Sequence, residues 1–193
     1  MTYAAWLSVY GEGGRQKLAT EFVEYILQRA KEAGEDVRKK AEEVVEEGKA
    51  RGSLTLKGFE KRVEVEGREH LVKVIDGGAE LEESWSGKKL LRLKITAEVD
   101  GVVRKYEITF SRREADNKAV GFAVARADAP GGREADAERL AAVIKALTGR
   151  EPRVYRMKNG AVKIECGRAR LEGFKRFAEL ADAIARWLEE TSR

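Results

Sequence analysis

Read for spacing alone, the chain alternates between two periods. From Gln16, the apolar residues Leu18, Phe22, Tyr25, Ile26, Ala30 and Ala33 recur every three or four positions, which predicts one stripe of a helix ending at Gly34. A second helix is predicted from Glu35, with Val37, Ala41, Val44 and Val45 on one face and Gly48 near its end. Together they form an expected N-terminal helical hairpin over residues 1–52.

After "ARGSLTLKG", which ends at Gly58, the pattern becomes alternating. "KRVEVEG" and "HLVKVID" flank Gly67 and predict a β-hairpin, and the glycine- and serine-rich "GGAELEESWSGKK" reads as a mobile loop or internal boundary. "LLRLKITAEV" and "VVRKYEITF" surround Asp100-Gly101, a pair that favours a two-residue hairpin turn because it tolerates positive φ. "KAVGFAVARA" follows as a third strand, with small residues on alternate positions, so that its core side is left open.

Helical spacing returns at "PGGREADAERLAAVIKALTG", where Ala137, Leu140, Ala141, Ile144 and Leu147 form a stripe closed by Gly149. Pro130, Glu134 and Asp136 suit the positive end of the helix dipole. A hairpin turning at Asn159-Gly160 and a final helix through Leu171, Phe174, Phe177, Ala178, Ala181, Ile184, Trp187 and Leu188 complete the chain. The expected fold class is α+β: the helical hairpin, then an antiparallel sheet with helices packed on one face and the order ββαββα in the C-terminal half. Residues 53–193 form the expected sheet domain, joined with 1–52 in one compact unit.

Composition adds stability and location. Of the 193 residues, 37% are charged while Cys, Met, Asn and Gln are rare, a balance found in hyperthermophile proteins. No stretch approaches the roughly 20 apolar residues of a membrane helix, and the first residues lack a signal-peptide pattern, so a cytoplasmic location with no membrane partner is expected. The single cysteine, Cys166, falls in a strand pattern and reads as a buried thiol, and the single histidine, His70, as structural.

Charge is unevenly placed. Residues 1–86 carry 14 basic against 18 acidic side chains, whereas residues 87–170 carry 20 against 11, an excess of nine positive charges. If helices cover the face of Leu91, Leu93 and Ile95, then Arg92, Lys94, Lys105 and Lys163 lie on the opposite face, and Arg112, Arg113, Lys118, Arg153, Arg156 and Lys158 extend it along strand ends and turns. Such a face suits a phosphate backbone, with Tyr155 or Phe122 available to stack on bases. A solvated surface of paired ions is the alternative, Arg92 and Lys94 pairing with Glu107.

Other motifs are thin. "GEGGRQKLAT" lacks the terminal lysine and hydroxyl of a nucleotide-hydrolase phosphate loop, leaving Gly13, Gly14 and Arg15 as a candidate anion site at a helix start or simply a turn. Gly131, Gly132 and Arg133 of "PGGRE" raise the same two readings. No Ser-His-Asp set, metal-spaced histidines or Cys-x-x-Cys pair occurs, so no catalytic residue, metal or cofactor is assigned.

The phrases "AAWLSVYGEG", "EFVEYILQRAKEAGE", "ARGSLTLKGFEKRVEVEGREH", "KITAEVDGV", "ARADAPGGREADAERLAAVIKALTG" and "LEGFKRFAELADAIARWLEET" closely resemble the PaRep family, multicopy repeat proteins of hyperthermophilic crenarchaea. The resemblance covers essentially the whole chain. It implies one continuous fold, an archaeal origin and a link to mobile elements rather than an activity. Family members are often longer, so this chain resembles a C-terminal portion beginning inside a helix. The ββαββα order over residues 102–190 is also similar to half of a LAGLIDADG homing endonuclease, whose sheet lies on DNA. That motif requires a helix ending in an acidic residue just before the first strand. Here "YAAWLSVYGEGG", with Glu12 between glycines, leads into another helix.

Three functions therefore stand. The first is a non-enzymatic nucleic-acid-binding module, DNA being the expected partner, using the basic face. The second is a protein-interaction or self-assembly module forming a homo-oligomer through the helical hairpin, the Trp187 helix or exposed strand edges. The third is a metal-dependent nuclease using Glu12 or other carboxylates.

Overall fold

The computed structural model describes residues 1–10, 13–50 and 54–192. The chain divides into two compact units: Met1–Leu54 with Arg176–Ala178, and Thr55–Lys175 with Glu179–Arg193.

The first unit holds three helices, α1 (Thr2–Tyr10), α2 (Gly13–Ala33) and α3 (Glu35–Ala50). Ala5, Val23 and Val45 form its centre, with Ala4 and Leu27 against them. Gly48 lets α3 approach α1, because a Cβ there would stand 2.6 Å from that of Ala5. The stripe expected on α2 is rotated. Ala19, Val23 and Ala30 are buried, while Leu18, Phe22 and Tyr25 are 69%, 45% and 61% exposed. The physical reason is close packing: α1 and α3 meet α2 through small side chains, which leaves its larger ones outside.

The second unit is α+β, as expected: a seven-stranded antiparallel sheet in the order β1-β2-β3-β4-β5-β7-β6 with helices α4, α5 and α6. The strands are β1 (Glu60–Val65), β2 (Arg68–Glu83), β3 (Lys89–Val99), β4 (Val102–Arg112), β5 (Ala119–Val124), β6 (Arg153–Arg156) and β7 (Val162–Gly167). The helices are α4 (Gly132–Thr148), α5 (Arg168–Phe174) and α6 (Ala178–Glu190).

β2 corrects the mobile-loop expectation. The chain from Gly77 to Glu83 stays paired with β3 as far as Glu83↔Lys89, after a register shift between Val74 and Asp76. The extra residue at the shift keeps Ala79 and Leu81 opposite Leu93 and Leu91, while Glu80 and Glu82 reach Lys94 and Arg92. Only Ser84–Lys88 remain as the turn, with Trp85 fully exposed.

Asp100 and Gly101 both take positive φ, 50° and 83°, as a two-residue hairpin turn requires. At Asn159-Gly160 only the glycine does, and the loop is longer: Met157 and Ala161 close it, while the Ala161 N–H donates to Asn159 Oδ1.

α4 is apolar on nearly every side: Ala137, Leu140, Ala141, Ala142, Val143, Ile144, Ala146 and Leu147 are all buried. A helix of this kind needs neighbours all round, and β1, β2, β3, β7 and α5 supply them. Val65 of β1 and Val154 of β6 face α4 across a small cleft, and Arg156 of β6 lies 3.7 Å from Glu66 beside β1. α6 packs through Trp187, whose ring lies 6.5 Å from Phe110 and whose Nε1 donates to the Lys89 carbonyl at 3.1 Å. Burying that side chain contributes about 3 kcal/mol.

The open question of β5 is answered by its register. Ala119, Gly121 and Ala123 share the inner face with Phe110, Cys166 and Ile164, and Val120, Phe122 and Val124 point outward. A Cβ at Gly121 would stand 2.6 Å from the fully buried Phe110 ring. Gly121→Val should therefore lower stability by about 1–3 kcal/mol, seen as a lower urea midpoint with α6 Trp187 fluorescence as the probe.

His70 is structural, clamped between two carboxylates: Nδ1 lies 2.6 Å from Asp100 and Nε2 3.1 Å from Glu138 of α4. Burial works against the Asp100 carboxylate, yet the Leu71 N–H and His70 together bring its pKa below the ordinary 3.8. A carboxyl depressed in the folded state contributes stability above its unfolded pKa and loses it as pH falls through the folded one. The thermal unfolding temperature should accordingly fall on acidification below 3.8, and Asp100→Asn should lower stability at neutral pH while flattening that acid slope.

Candidate nucleic-acid interface

Strand register decides which charges share a surface. On the face turned away from α4, directly paired residues form a row across six strands: Glu80, Arg92, Thr109, Phe122, Glu165 and Arg153. Beside it run Gly78, Lys94 and Glu107 on β2 to β4, and Val124, Lys163 and Tyr155 on β5, β7 and β6. From Lys73 on β2 across to β6, this outer face carries six cations (Lys73, Arg92, Lys94, Lys105, Lys163, Arg153) and six anions (Asp76, Glu80, Glu82, Glu98, Glu107, Glu165).

The pairing is close at the centre. Arg92 lies 2.9 Å from Glu82 and 3.6 Å from Glu107, Lys94 2.6 Å from Glu80, and Lys105 3.9 Å from Glu107. Lys94 holds the Glu80 carboxyl below the usual carboxylate range. Arg153 lies 3.6 Å from Glu165.

The remaining cations separate by position. Arg113 donates two bonds to Asp116, at 2.9 and 2.7 Å, and Lys118 lies 3.0 Å from the same carboxylate. Arg113, aided by Lys118, keeps that carboxyl well below the usual range. Arg112 and Arg156 sit on the inner side by strand parity. Arg112 lies 5.1 Å over the Trp187 ring and donates to Thr191 Oγ1, Asn117 O and Leu188 O, capping the end of α6. Arg156 binds Glu134 in the first turn of α4 through two bonds, at 3.0 and 3.1 Å. Lys158 is exposed in the β6–β7 turn.

Lys163 is different. Its ammonium stands 3.6 Å from the centroid of the Phe122 ring, and its cross-strand neighbours are Val124, 62% exposed, and Tyr155, 41% exposed. Of the ten basic residues drawn from the sequence, Lys163 and Arg153 are thus brought together with both aromatics, and Lys158 follows on the next turn. Arg112, Arg113, Lys118 and Arg156 belong to other surfaces.

One arginine of the inner face escaped the sequence reading. Arg104 alternates inward, opposite Ala97, and lies 3.0 Å from the buried Asp136 of α4, whose other oxygen accepts the Arg126 N–H at 2.7 Å. The signal available was the parity of Arg104 with Tyr106 and Ile108, a cation in a core register.

At the other sequence candidates the structure shows local roles. Gly13 has φ +57°, and Arg15 donates to Tyr3 Oη at 3.0 Å, which ties the start of α2 to α1. Arg133 donates to Gly160 O at 3.0 Å. Cys166 is buried, and burial pushes its thiol up to about 12, so it stays protonated. Glu12 lies outside the described residues. Among the described residues, no group of three His, Cys, Asp or Glu side chains is placed to hold a metal ion, and no helix is long and apolar enough to cross a membrane. No family model, curated protein or solved structure matches the chain.

Proposed function

We propose that the chain is a non-enzymatic nucleic-acid-binding module that takes single-stranded nucleic acid, DNA foremost, on the outer face of β5, β7 and β6. The observation that carries this reading is the cross-strand patch in which Lys163 lies over Phe122 and beside Tyr155. Aromatic side chains on a sheet surface offer stacking platforms to unstacked bases, and neighbouring cations take the intervening phosphates. Arg153 and Lys158 supply such cations along β6 and its turn. At the centre of the sheet Arg92 and Lys94 are held closer to acids, 2.9 Å from Glu82 and 2.6 Å from Glu80, than Arg153 is to Glu165 at 3.6 Å. A cytoplasmic location and a role of the PaRep kind belong to the same reading.

Fluorescence anisotropy with labelled oligothymidylate tests it. Three phosphate contacts, from Lys163, Arg153 and Lys158, give an expected slope of log affinity against log salt of about −2. Tyr155→Ala should weaken binding by about 1–3 kcal/mol. Absence of salt-dependent binding to DNA and RNA would refute the reading.

A second reading, self-assembly, rests on α2. Leu18, Phe22 and Tyr25 follow one another at helical spacing and all are exposed, an apolar stripe of the kind that marks protein contacts. Sedimentation should show a dimer that the triple replacement Leu18→Ser, Phe22→Ser, Tyr25→Ser converts to monomer. A wild-type chain that stays monomeric at high concentration would exclude it.

A further inference from the structure

β4 and β5 separate. They pair over only four positions, from Thr109↔Phe122 to Arg112↔Ala119, while β4 continues to Val102 bonded to β3 alone and β5 continues to Val124 bonded to β7. The parting leaves an opening of about 370 Å³, with Tyr106 and Leu140 on its inner side and Phe122 and Val124 on its outer side. Val99↔Val102 closes a two-residue turn and so exchanges both its hydrogen bonds; by alternation, Val103, Lys105 and Glu107 aim their N–H groups toward the opening. Among the described residues, no strand pairs with them on that side.

The lining is unlike the outer face in charge. Arg92, Arg104, Lys105 and Arg126 line the opening, against one carboxylate, Glu107. Behind them, Asp136 serves both Arg104, at 3.0 Å, and Arg139, at 3.9 Å. Glu107 is likewise shared between Arg92 and Lys105, Arg92 having Glu82 as its nearer partner. Five cations thus face three carboxylates. Arg126 is exposed, and among the described residues it is engaged through its backbone N–H, which donates to Asp136 Oδ2. Arg92 Nε is buried without a hydrogen-bond acceptor.

We propose that this opening is a binding site for a phosphate monoester: the phosphate of a nucleotide, or the terminal phosphate of a nucleic-acid strand. An excess of two positive charges matches a dianion better than a carboxylate, guanidinium forks suit tetrahedral oxyanions, and backbone N–H groups complete such cradles. The volume falls in the lower range of small-ligand sites. The strand-end form rests on the nucleic-acid reading above, because Phe122 lines both sites; the nucleotide form does not.

The test uses the full chain with adenosine 5′-monophosphate, adenosine and inorganic phosphate in calorimetry, and with 5′-phosphorylated and 5′-hydroxyl oligothymidylate in anisotropy. Adenosine 5′-monophosphate should bind and adenosine should not, and the 5′-phosphorylated strand should bind about tenfold tighter than its hydroxyl counterpart. Arg126→Gln and Lys105→Gln, both at exposed side chains, should keep the wild-type unfolding temperature and lose these preferences. Nucleotide binding that disappears in Arg126→Gln upholds the site even if no oligonucleotide binds, an outcome that removes only the nucleic-acid reading. Equal affinity for the two strand forms, together with no binding of adenosine 5′-monophosphate or phosphate, overturns the site and leaves the stacking patch standing.

Discussion

A helix with almost no polar side governs the sheet unit. α4 buries most of its length, including the charged Asp136 and Arg139, and such a helix is stable only if apolar surface is brought to it from several directions. A flat sheet covers one side of a helix. Here β1, β2, β3 and β7 pack against α4, and Arg156 of the edge strand β6 reaches Glu134 in its first turn, so the strands form a continuous wall with a distinct inner and outer face. Small residues at Gly121 and Ala123 give Phe110 and Ile164 room on that wall, and Trp187 of α6 closes it beside Phe110.

Enclosing α4 has an electrostatic consequence. Asp136 is 1% exposed, and a buried carboxylate requires partners. It finds Arg104, Arg139 and the Arg126 N–H, and it thereby draws cations inward where β4 and β5 part. Arginines are also used on backbone oxygens: Arg112 at the end of α6, Arg133 on Gly160, Arg139 itself on Pro130 and Arg170 on Glu151. These carbonyls lie at helix ends and turns, where the chain cannot satisfy them itself. Much of the positive excess of residues 87–170 is therefore structural, and the outer face is left balanced.

What remains on that face is chemistry of a different kind. Lys163 between Phe122 and Tyr155 combines a cation with two ring systems on adjacent strands. The interaction is short-ranged and sequence-tolerant, suited to irregular single strands rather than to a uniform phosphate track.

The sequence by itself determined the local order of elements. Period-two and period-3.6 spacing, Asp100-Gly101 and Gly149 located the C-terminal strands and α4, because those signals act within a few residues, whereas the single final helix expected from Leu171 to Leu188 is broken between Phe174 and Ala178 into α5 and α6. Even the basic and aromatic members of the outer patch, Lys163, Phe122 and Tyr155, were legible as types. Tertiary structure decided everything that depends on neighbours. The α2 stripe turned because its partners presented small side chains, and Gly77–Glu83 became strand because β3 offered Arg92 and Lys94 to its glutamates. Counting charges along the chain could not show which cations meet acids: Glu80 and Glu82 come from a segment that reads as loop, and Asp136 from a helix far from Arg104 in sequence. Register across strands sets those distances, and Coulomb energy follows distance in space rather than separation in sequence.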